Sequence, residues 1–351
     1  MAFRLRLASV VALSCGIAVA AADLGPGAGV SAAWATPPQD LERPPFDQWL
    51  AALRTEALAR GISERTVAAA LDGLEPLPVV VERDRTQAET TLTIDQYLKR
   101  RLTTRLVRTA RQMAARHRTL LARVSADYGV PAPIIVAIWG LESNFGRFTG
   151  TRPTIASLAT LAYDGRRTLF REELFSALRI IDEEGIPVGD LKGSWAGAMG
   201  QAQFMPSSYL EHAVDHDKDG RRNIWTSLPD VFASMANYLK ANGWVTGVRW
   251  GREVSLSKTV AERVAASVPP RGTGPCQAVQ MLSEPRPVSE WRQLGVRLAG
   301  GSALPVSEIS ASLVRLDRRS YLVYQNYETL LAYNCAHPYA LSVAMLADRI
   351  W

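Results

Sequence analysis

One glutamate stands alone in a stretch otherwise composed to avoid water, Pro133-Ile-Ile-Val-Ala-Ile-Trp-Gly-Leu-Glu142-Ser-Asn-Phe-Gly146. In a helix its i−4, i−3, i−1 and i+3 neighbours are Ile138, Trp139, Leu141 and Phe145, which sets the carboxyl against apolar surface. Desolvation lifts a glutamate pKa from about 4.3 towards roughly 6 or higher, where it can hand a proton to a leaving oxygen near neutral pH. Glu142 therefore reads as a general acid. A plainer reading competes with it, that of a helix-end glutamate turned to solvent or bonded to a nearby side chain.

Four further stretches carry polar groups in suggestive company. Gly193-Ser-Trp-Ala-Gly-Ala-Met-Gly-Gln-Ala-Gln-Phe-Met-Pro-Ser-Ser-Tyr209 pairs small residues, which permit close backbone approach, with the hydrogen-bonding groups of Ser194, Gln201, Gln203, Ser207 and Tyr209. Such a wall suits a sugar, although the glycines could equally mark tight helix packing. Asp215-His-Asp-Lys-Asp-Gly-Arg-Arg-Asn-Ile-Trp225 places carboxylates at loop positions one, three and five and glycine at six, the spacing of an EF-hand-like calcium turn. Thr226 stands at position twelve, where a bidentate glutamate belongs, and Asp230 is the nearest replacement, as a ligand or as a helix cap. A structural Ca²⁺ is expected rather than a sensor site, with a metal-free acidic turn as the alternative. Asn237-Tyr238 and the pair Tyr327 with Leu330-Leu-Ala-Tyr-Asn334 are by themselves ordinary core aromatics.

Taken in order, Ile138-Trp-Gly-Leu-Glu-Ser-Asn-Phe-Gly, Ala196-Gly-Ala-Met-Gly-Gln-Ala-Gln-Phe-Met-Pro-Ser-Ser-Tyr, the Asp-rich loop, Ala236-Asn-Tyr-Leu and Leu331-Ala-Tyr-Asn resemble the lytic murein transglycosylase B family, glycoside hydrolase family 103, over roughly Pro44 to Trp351. The resemblance implies a mainly α (α+β) protein: a lysozyme-like catalytic core, an N-terminal helical domain and a small β-containing insert. It implies that Glu142 is the catalytic acid and that Ser194, Gln203, Tyr238, Tyr333 and Asn334 line the glycan groove or position the muramic-acid residue. It also implies a calcium loop formed by Asp215, Asp217, Asp219 and the carbonyl of Arg221, with the last ligand left to Asp230. No cofactor is implied for the chemistry. Cys335, beside Asn334, is not something the family requires.

Most glycosidases use two carboxylates, and only one is obvious here. The expected reaction is therefore cleavage of the β-1,4 bond between MurNAc and GlcNAc by the C6 hydroxyl of the MurNAc, giving a 1,6-anhydro end. Glu142 would act first as acid and then as base. A hydrolytic muramidase is the alternative, with Asp164 or Asp190 as second carboxylate, followed by a non-catalytic peptidoglycan-binding scaffold and a calcium-dependent structural module.

Several elements must position these groups. Phe46, Trp49, Leu50, Leu53 and Ala57 follow a helical period that Gly61 stops, and Ser63 can cap a second helix to about Leu71. A long third helix is expected from Leu92 to Tyr128, and Pro131 and Pro133 restart the chain into the helix bearing Glu142. Helices follow over Thr168 to Glu184 and Leu228 to Asn242. From Gly251 the pattern turns β-rich at Val254-Ser-Leu-Ser, Gly295-Val-Arg-Leu, Ile309 to Leu316 and Tyr321-Leu-Val-Tyr. Helix returns at Tyr327 to Tyr333 and Pro338 to Trp351.

The 351 residues, 47% of them hydrophobic, exclude a disordered chain. Arg4 and Arg6 precede an uncharged run from Leu7 to Ala22 with cleavage options at Ala18-Val-Ala20 or Ala33-Trp-Ala35, a secretory signal peptide that implies a periplasmic protein. The residues before Cys15 make a poor lipoprotein signal, so no lipid anchor is expected. The two remaining cysteines, Cys276 and Cys335, favour a disulfide in an oxidising compartment. The run from Lys99 to Arg118 reads as an amphipathic helix with a solvated basic face; it lacks the aromatic interleaving of a nucleic-acid binder, while an anionic polymer outside the cytoplasm fits it. The expected organisation is a signal peptide over 1–22, a leader over 23–43, a helical domain over 44–125, the core with its EF-hand-like loop over 126–250, the β-containing insert over 251–325 and returning helices over 326–351. A monomer acting on glycan strands is expected, compatible with membership of cell-wall enzyme complexes.

Overall fold

The computed structural model describes residues 43–86 and 92–350; the expected signal peptide, nearly all of the expected leader and Trp351 lie outside the described residues. The N-terminal part comprises α1 (Phe46–Ala59), α2 (Glu64–Leu71), α3 (Pro78–Thr86), α4 (Ile94–Arg101), α5 (Thr104–Arg116) and α6 (Arg118–Tyr128). Ser63 caps α2 as its position suggested, its hydroxyl accepting from Thr66 N–H. The single helix expected over 92–128 is instead three. Thr103 leaves helical geometry and its hydroxyl accepts from Leu106 N–H, so a new N-terminus is capped inside the run, and the chain breaks again at His117. The 3.6-residue apolar period continues across both breaks, so periodicity alone does not reveal them.

Next come α7 (Ala132–Ser143), β1 (Arg152–Pro153), α8 (Thr154–Asp164), α9 (Leu169–Glu184), β2 (Lys192–Gly193), α10 (Pro206–His212) and α11 (Leu228–Ala241). Pro131 and Pro133 start α7, and every residue from Pro133 to Leu141 is buried, so this is a central helix enclosed on all sides. Helices α5, α6, α11 and α16 (His337–Ala347) pack around it.

Residues 251–323 hold β3 (Gly251–Ser255), α12 (Lys258–Ser267), α13 (Gln277–Gln280), β4 (Arg286–Pro287), α14 (Val288–Gln293), β5 (Arg297–Leu298), β6 (Ser310–Leu316) and β7 (Arg319–Val323). The strands form one antiparallel sheet ordered β4-β6-β7-β3-β5, with a core of its own around Trp291, Val254, Leu313 and Leu322. Of the three helices here, α13 and α14 escape sequence reading because four and six residues are too few to show a period, whereas the ten-residue α12 lies inside a stretch whose pattern reads as β-rich. The β6–β7 turn reaches back to the helical part, where Asp317 accepts from Ile94 N–H at 2.6 Å and Arg319 pairs with Asp95 at 2.5 Å. Helix α15 (Gln325–Tyr333) and α16 then rejoin the large core, which runs unbroken from Leu50 on α1 to Ile350.

Candidate active site

Glu142 lies on the last turn of α7, and the backbone beyond it is unusual. Asn144, Phe145 and Gly146 take φ of 49°, 59° and 79°, three successive left-handed residues of which only the last is glycine. Local contacts hold this conformation. The Phe145 ring covers Gly140, where an added Cβ would come within 2.7 Å of ring carbons, and meets Trp139 edge-on at 5.4 Å. Ser143 Oγ donates to Trp139 O and accepts from Gly146 N–H, each at 3.1 Å.

The Gly-rich wall is brought beside this loop by a short ladder in which Arg152 pairs with Gly193 and Pro153 with Lys192. The approach is close enough that a Cβ on Gly150 (φ 91°) would fall 2.0 Å from the Gly193 carbonyl carbon, so only glycine fits there. Gln201 then fastens wall to helix: its Oε1 accepts from Trp139 Nε1 at 2.7 Å and its Nε2 donates to Trp225 O at 2.8 Å. Ser194 Oγ accepts from Ala196 and Ala198 N–H at 3.3 and 3.1 Å, leaving its own hydroxyl proton to be donated elsewhere. Gln203, at φ 50°, donates Nε2 to Gly200 O at 2.8 Å and to Thr149 O at 3.4 Å.

The opposite side is aromatic. Tyr333 on α15 donates its hydroxyl to Ala202 O at 2.7 Å and stacks with Tyr339 of α16 at 6.4 Å between centroids. Tyr238 of α11 is only 2% exposed and donates to Ala332 O at 2.7 Å. Its ring meets that of Tyr333 edge-on, 4.9 Å away. Asn334 ends α15 with a buried, unbonded Oδ1.

These walls close on a carboxyl that is only partly exposed. Burial pushes the Glu142 pKa up to about 7, against the opposing pull of the Tyr339 hydroxyl and of the Arg101 guanidinium. The Tyr339 hydroxyl faces the carboxyl but lies outside full hydrogen-bond geometry with it. Burial raises the pKa of Tyr333 and of Tyr339, and the nearby Glu142 carboxyl adds to both, so the three groups sense one another. Arg101 donates to the carbonyl of Leu141, the residue before Glu142. Tyr339 and Arg101 escape sequence reading, Tyr339 because it lies among ordinary core residues of α16 and Arg101 because it looks like one more solvated arginine.

Among the described residues, no second carboxylate joins Glu142. Asp164 is held among Arg43, Arg85 and Arg166, and Asp190 is exposed. The other two carboxyls with raised pKa have structural partners. Glu173 accepts from Ser207 N–H and Oγ at the start of α10. Asp230, fully buried, accepts from His216 and Asn223 N–H, each at 2.8 Å.

Asp230 also closes the Asp-rich loop. Its carboxylate converges with those of Asp215 and Asp217, one oxygen of each lying within 4.8 Å of the others. Asp219 turns away to accept from Arg221 N–H at 2.9 Å, and Thr226 accepts from Asn223 Nδ2 at 2.6 Å. Three hard oxygen donors of like charge, none of them in an ion pair with a described side chain, fit a Ca²⁺ ion.

The Transglycosylase SLT domain family model matches residues 45–348. The membrane-bound lytic murein transglycosylase B of Escherichia coli K12 is 36% identical over 239 residues, 66% of this chain and 60% of that protein, so the match spans less than two thirds of the curated relative. SltB3 from Pseudomonas aeruginosa, solved with NAG-NAM-pentapeptide, superposes with a TM-score of 0.77 and 40% identity over 86% of this chain and 79% of that one. Escherichia coli Slt35, solved in complex with calcium, gives a TM-score of 0.70 and 29% identity over 89% and 94%.

Proposed function

Because this chain belongs to the transglycosylase SLT domain family, we propose that it is a peptidoglycan lytic transglycosylase that cleaves the β-1,4 bond between MurNAc and GlcNAc and leaves 1,6-anhydro-MurNAc ends. One observation carries the reading: Glu142 is a carboxyl whose pKa stands at about 7, and the charged group that influences it is Arg101 and not another acid. Near neutral pH such a group is available both protonated and ionised.

Protonated Glu142 gives its proton to the glycosidic oxygen, which leaves as the GlcNAc 4-hydroxyl. The MurNAc C6 oxygen forms a bond to the anomeric carbon as the glycosidic bond breaks, and its proton passes to the Glu142 carboxylate, which restores the acid. No water is consumed and no second protein carboxylate is required, in contrast to the two-carboxylate arrangement. Ser194, with a free hydroxyl proton, and Asn334, with an unbonded Oδ1, hold the sugar so that C6 can reach C1. Tyr333 and Gln203 shape the groove and Tyr238 supports it from beneath.

Asp215, Asp217 and Asp230 would hold a structural Ca²⁺ that pins the loop between α10 and α11, with the Arg221 carbonyl and Asp219 as further oxygens if the loop tightens around the ion. Bound there, the ion supplies folding energy and takes no part in the bond change. The expected location is the periplasm and the expected partner is the glycan strand.

Digestion of purified sacculi followed by mass spectrometry of the muropeptides tests this function. Anhydro products that vanish with Glu142→Gln are expected. Reducing ends would assign the chain to the hydrolytic muramidases, and intact sacculi that retain bound protein would make it a scaffold.

A further inference from the structure

Charge is distributed very unevenly along this chain. Nine of its 40 basic residues lie between Lys99 and Ala126 with no acidic residue among them, leaving 31 against 34 acidic residues elsewhere. The net positive charge of the protein therefore resides on α4 to α6. Arg105, Arg108 and Arg116 are exposed and follow one another at i, i+3 and i+11, so they form one ridge on the side of α5 opposite the buried Ala110 and Ala114. At 1.5 Å per residue the ridge runs roughly 16 Å. Arg101, one turn before it, touches Leu141 beside the acid. None of these four arginines has an ion-pair partner among the described residues, and Asp95, the nearest preceding acid, is engaged by Arg319.

We propose that the row Arg101, Arg105, Arg108 and Arg116 is a docking surface for the carboxylate-bearing peptides of the peptidoglycan strand whose glycan lies over Glu142. The inference rests on the function proposed above and adds the part of the substrate that the glycan groove does not reach. Continuity supports it, since the row begins at the residue bonded to the carbonyl next to the acid. Charge supports it, since exposed cations within about one Debye length of each other repel until an anionic partner relieves them. A membrane surface fits less well. A helix that lies on a bilayer inserts an apolar face, whereas the apolar face of α5 is packed on α7 and no large exposed hydrophobic side chain lies on α4, α5 or α6.

Binding separates these possibilities. In the full-length Glu142→Gln protein, Arg105→Gln, Arg108→Gln and Arg116→Gln are combined. Retention is measured on intact sacculi and on glycan stripped of peptide by an amidase, across a salt series. The ratio of affinity for peptide-bearing over peptide-free material should fall about tenfold, three exposed charge pairs acting together, and its salt dependence should flatten. The corresponding triple Lys variant should recover most of the ratio. An unchanged ratio, an equal loss on both materials, or capture by phosphatidylglycerol vesicles with unaltered sacculus binding would each overturn the docking surface. Failure of the wild-type protein to release anhydro-muropeptides would instead overturn the proposed function, a result read from digestion and not from these binding ratios.

Discussion

The buried hydroxyl of Tyr339 lies beside the carboxyl of Glu142, short of full hydrogen-bond geometry, and has no hydrogen-bond partner among the described residues. The two groups come from helices packed side by side, α7 and α16, so their separation is set by core packing and not by a loop. Tyr339 pulls the Glu142 pKa down against the larger effect of burial. Tyr339→Phe removes that pull and should move the Glu142 pKa above its present value of about 7. Because the reaction starts from the protonated acid, the alkaline limb of kcat/KM should shift to higher pH, with a lower kcat where the carboxylate is needed as base. A pH–rate profile on sacculi checks this; an unmoved limb would mean that the hydroxyl does not sense the carboxyl.

Burial of the acid also has a stability consequence of definite sign. The folded pKa of Glu142 is raised from 4.5 to about 7, so the group costs the folded state nothing below about pH 4.5, its penalty builds as pH rises from 4.5 towards 7, and it is fully present above 7. Glu142→Gln removes an ionisable group that is costly in its charged form. It should reduce activity by about a thousandfold or more and raise stability at pH 8 by about 1–3 kcal/mol, with little gain at pH 4. Thermal unfolding of both proteins at the two pH values measures the difference; equal gains at both would indicate that the amide stabilises for a reason unrelated to charge.

The acid was legible in the sequence because its helix is apolar on every side and started by prolines, a pattern that permits only a buried location for residues 133–141. The caps at Ser63 and the strands β6 and β7 were legible for similarly local reasons. What escaped depends on contacts distant in sequence. Tyr238 is buried because α15 covers it, and Tyr339 reaches Glu142 only once α16 packs on α7. The breaks at Thr103 and His117 were hidden by a hydrophobic period that a kinked path preserves.

The disulfide, by contrast, was expected from cysteine count alone and lies where it touches the site. Cys276 and Cys335 are bonded with Cα atoms 6.2 Å apart, joining the insert to the residue after Asn334. Arg271 pairs with Glu328 of α15 at 2.7 Å across the same junction, and Tyr327 bonds His337 at 3.1 Å beneath it. Closing a loop between residues 59 apart should stabilise the fold by about 2–4 kcal/mol. Cys276→Ser with Cys335→Ser should therefore lower Tm by several degrees. It should also raise KM more than it lowers kcat, because it loosens Asn334 and leaves the helix carrying Glu142 untouched. Steady-state kinetics well below the new Tm check the second effect; a KM equal to that of the parent would confine the bond to a stabilising role.

Calcium should act on stability alone. The carboxylates of Asp215, Asp217 and Asp230 repel one another, and Asp217 contributes to the raised pKa of Asp230, whose largest cause is burial. A divalent cation relieves that repulsion and binds the folded loop in preference to the unfolded chain, so Tm should rise with calcium concentration by mass action and fall on chelation. Asp217→Asn removes a converging charge from a side chain that is exposed, and should weaken the calcium response while leaving the Tm in chelator nearly unchanged or slightly raised. Asp230→Asn is the harsher change, because Asp230 also accepts the N–H groups of His216 and Asn223 and its loss should lower Tm even in chelator. Calorimetry with and without the ion distinguishes the two. A Tm indifferent to calcium in the parent protein would mean that backbone N–H groups alone hold the acidic loop, and the peptidoglycan chemistry assigned to Glu142 would stand unaffected, since no step of it passes through this site.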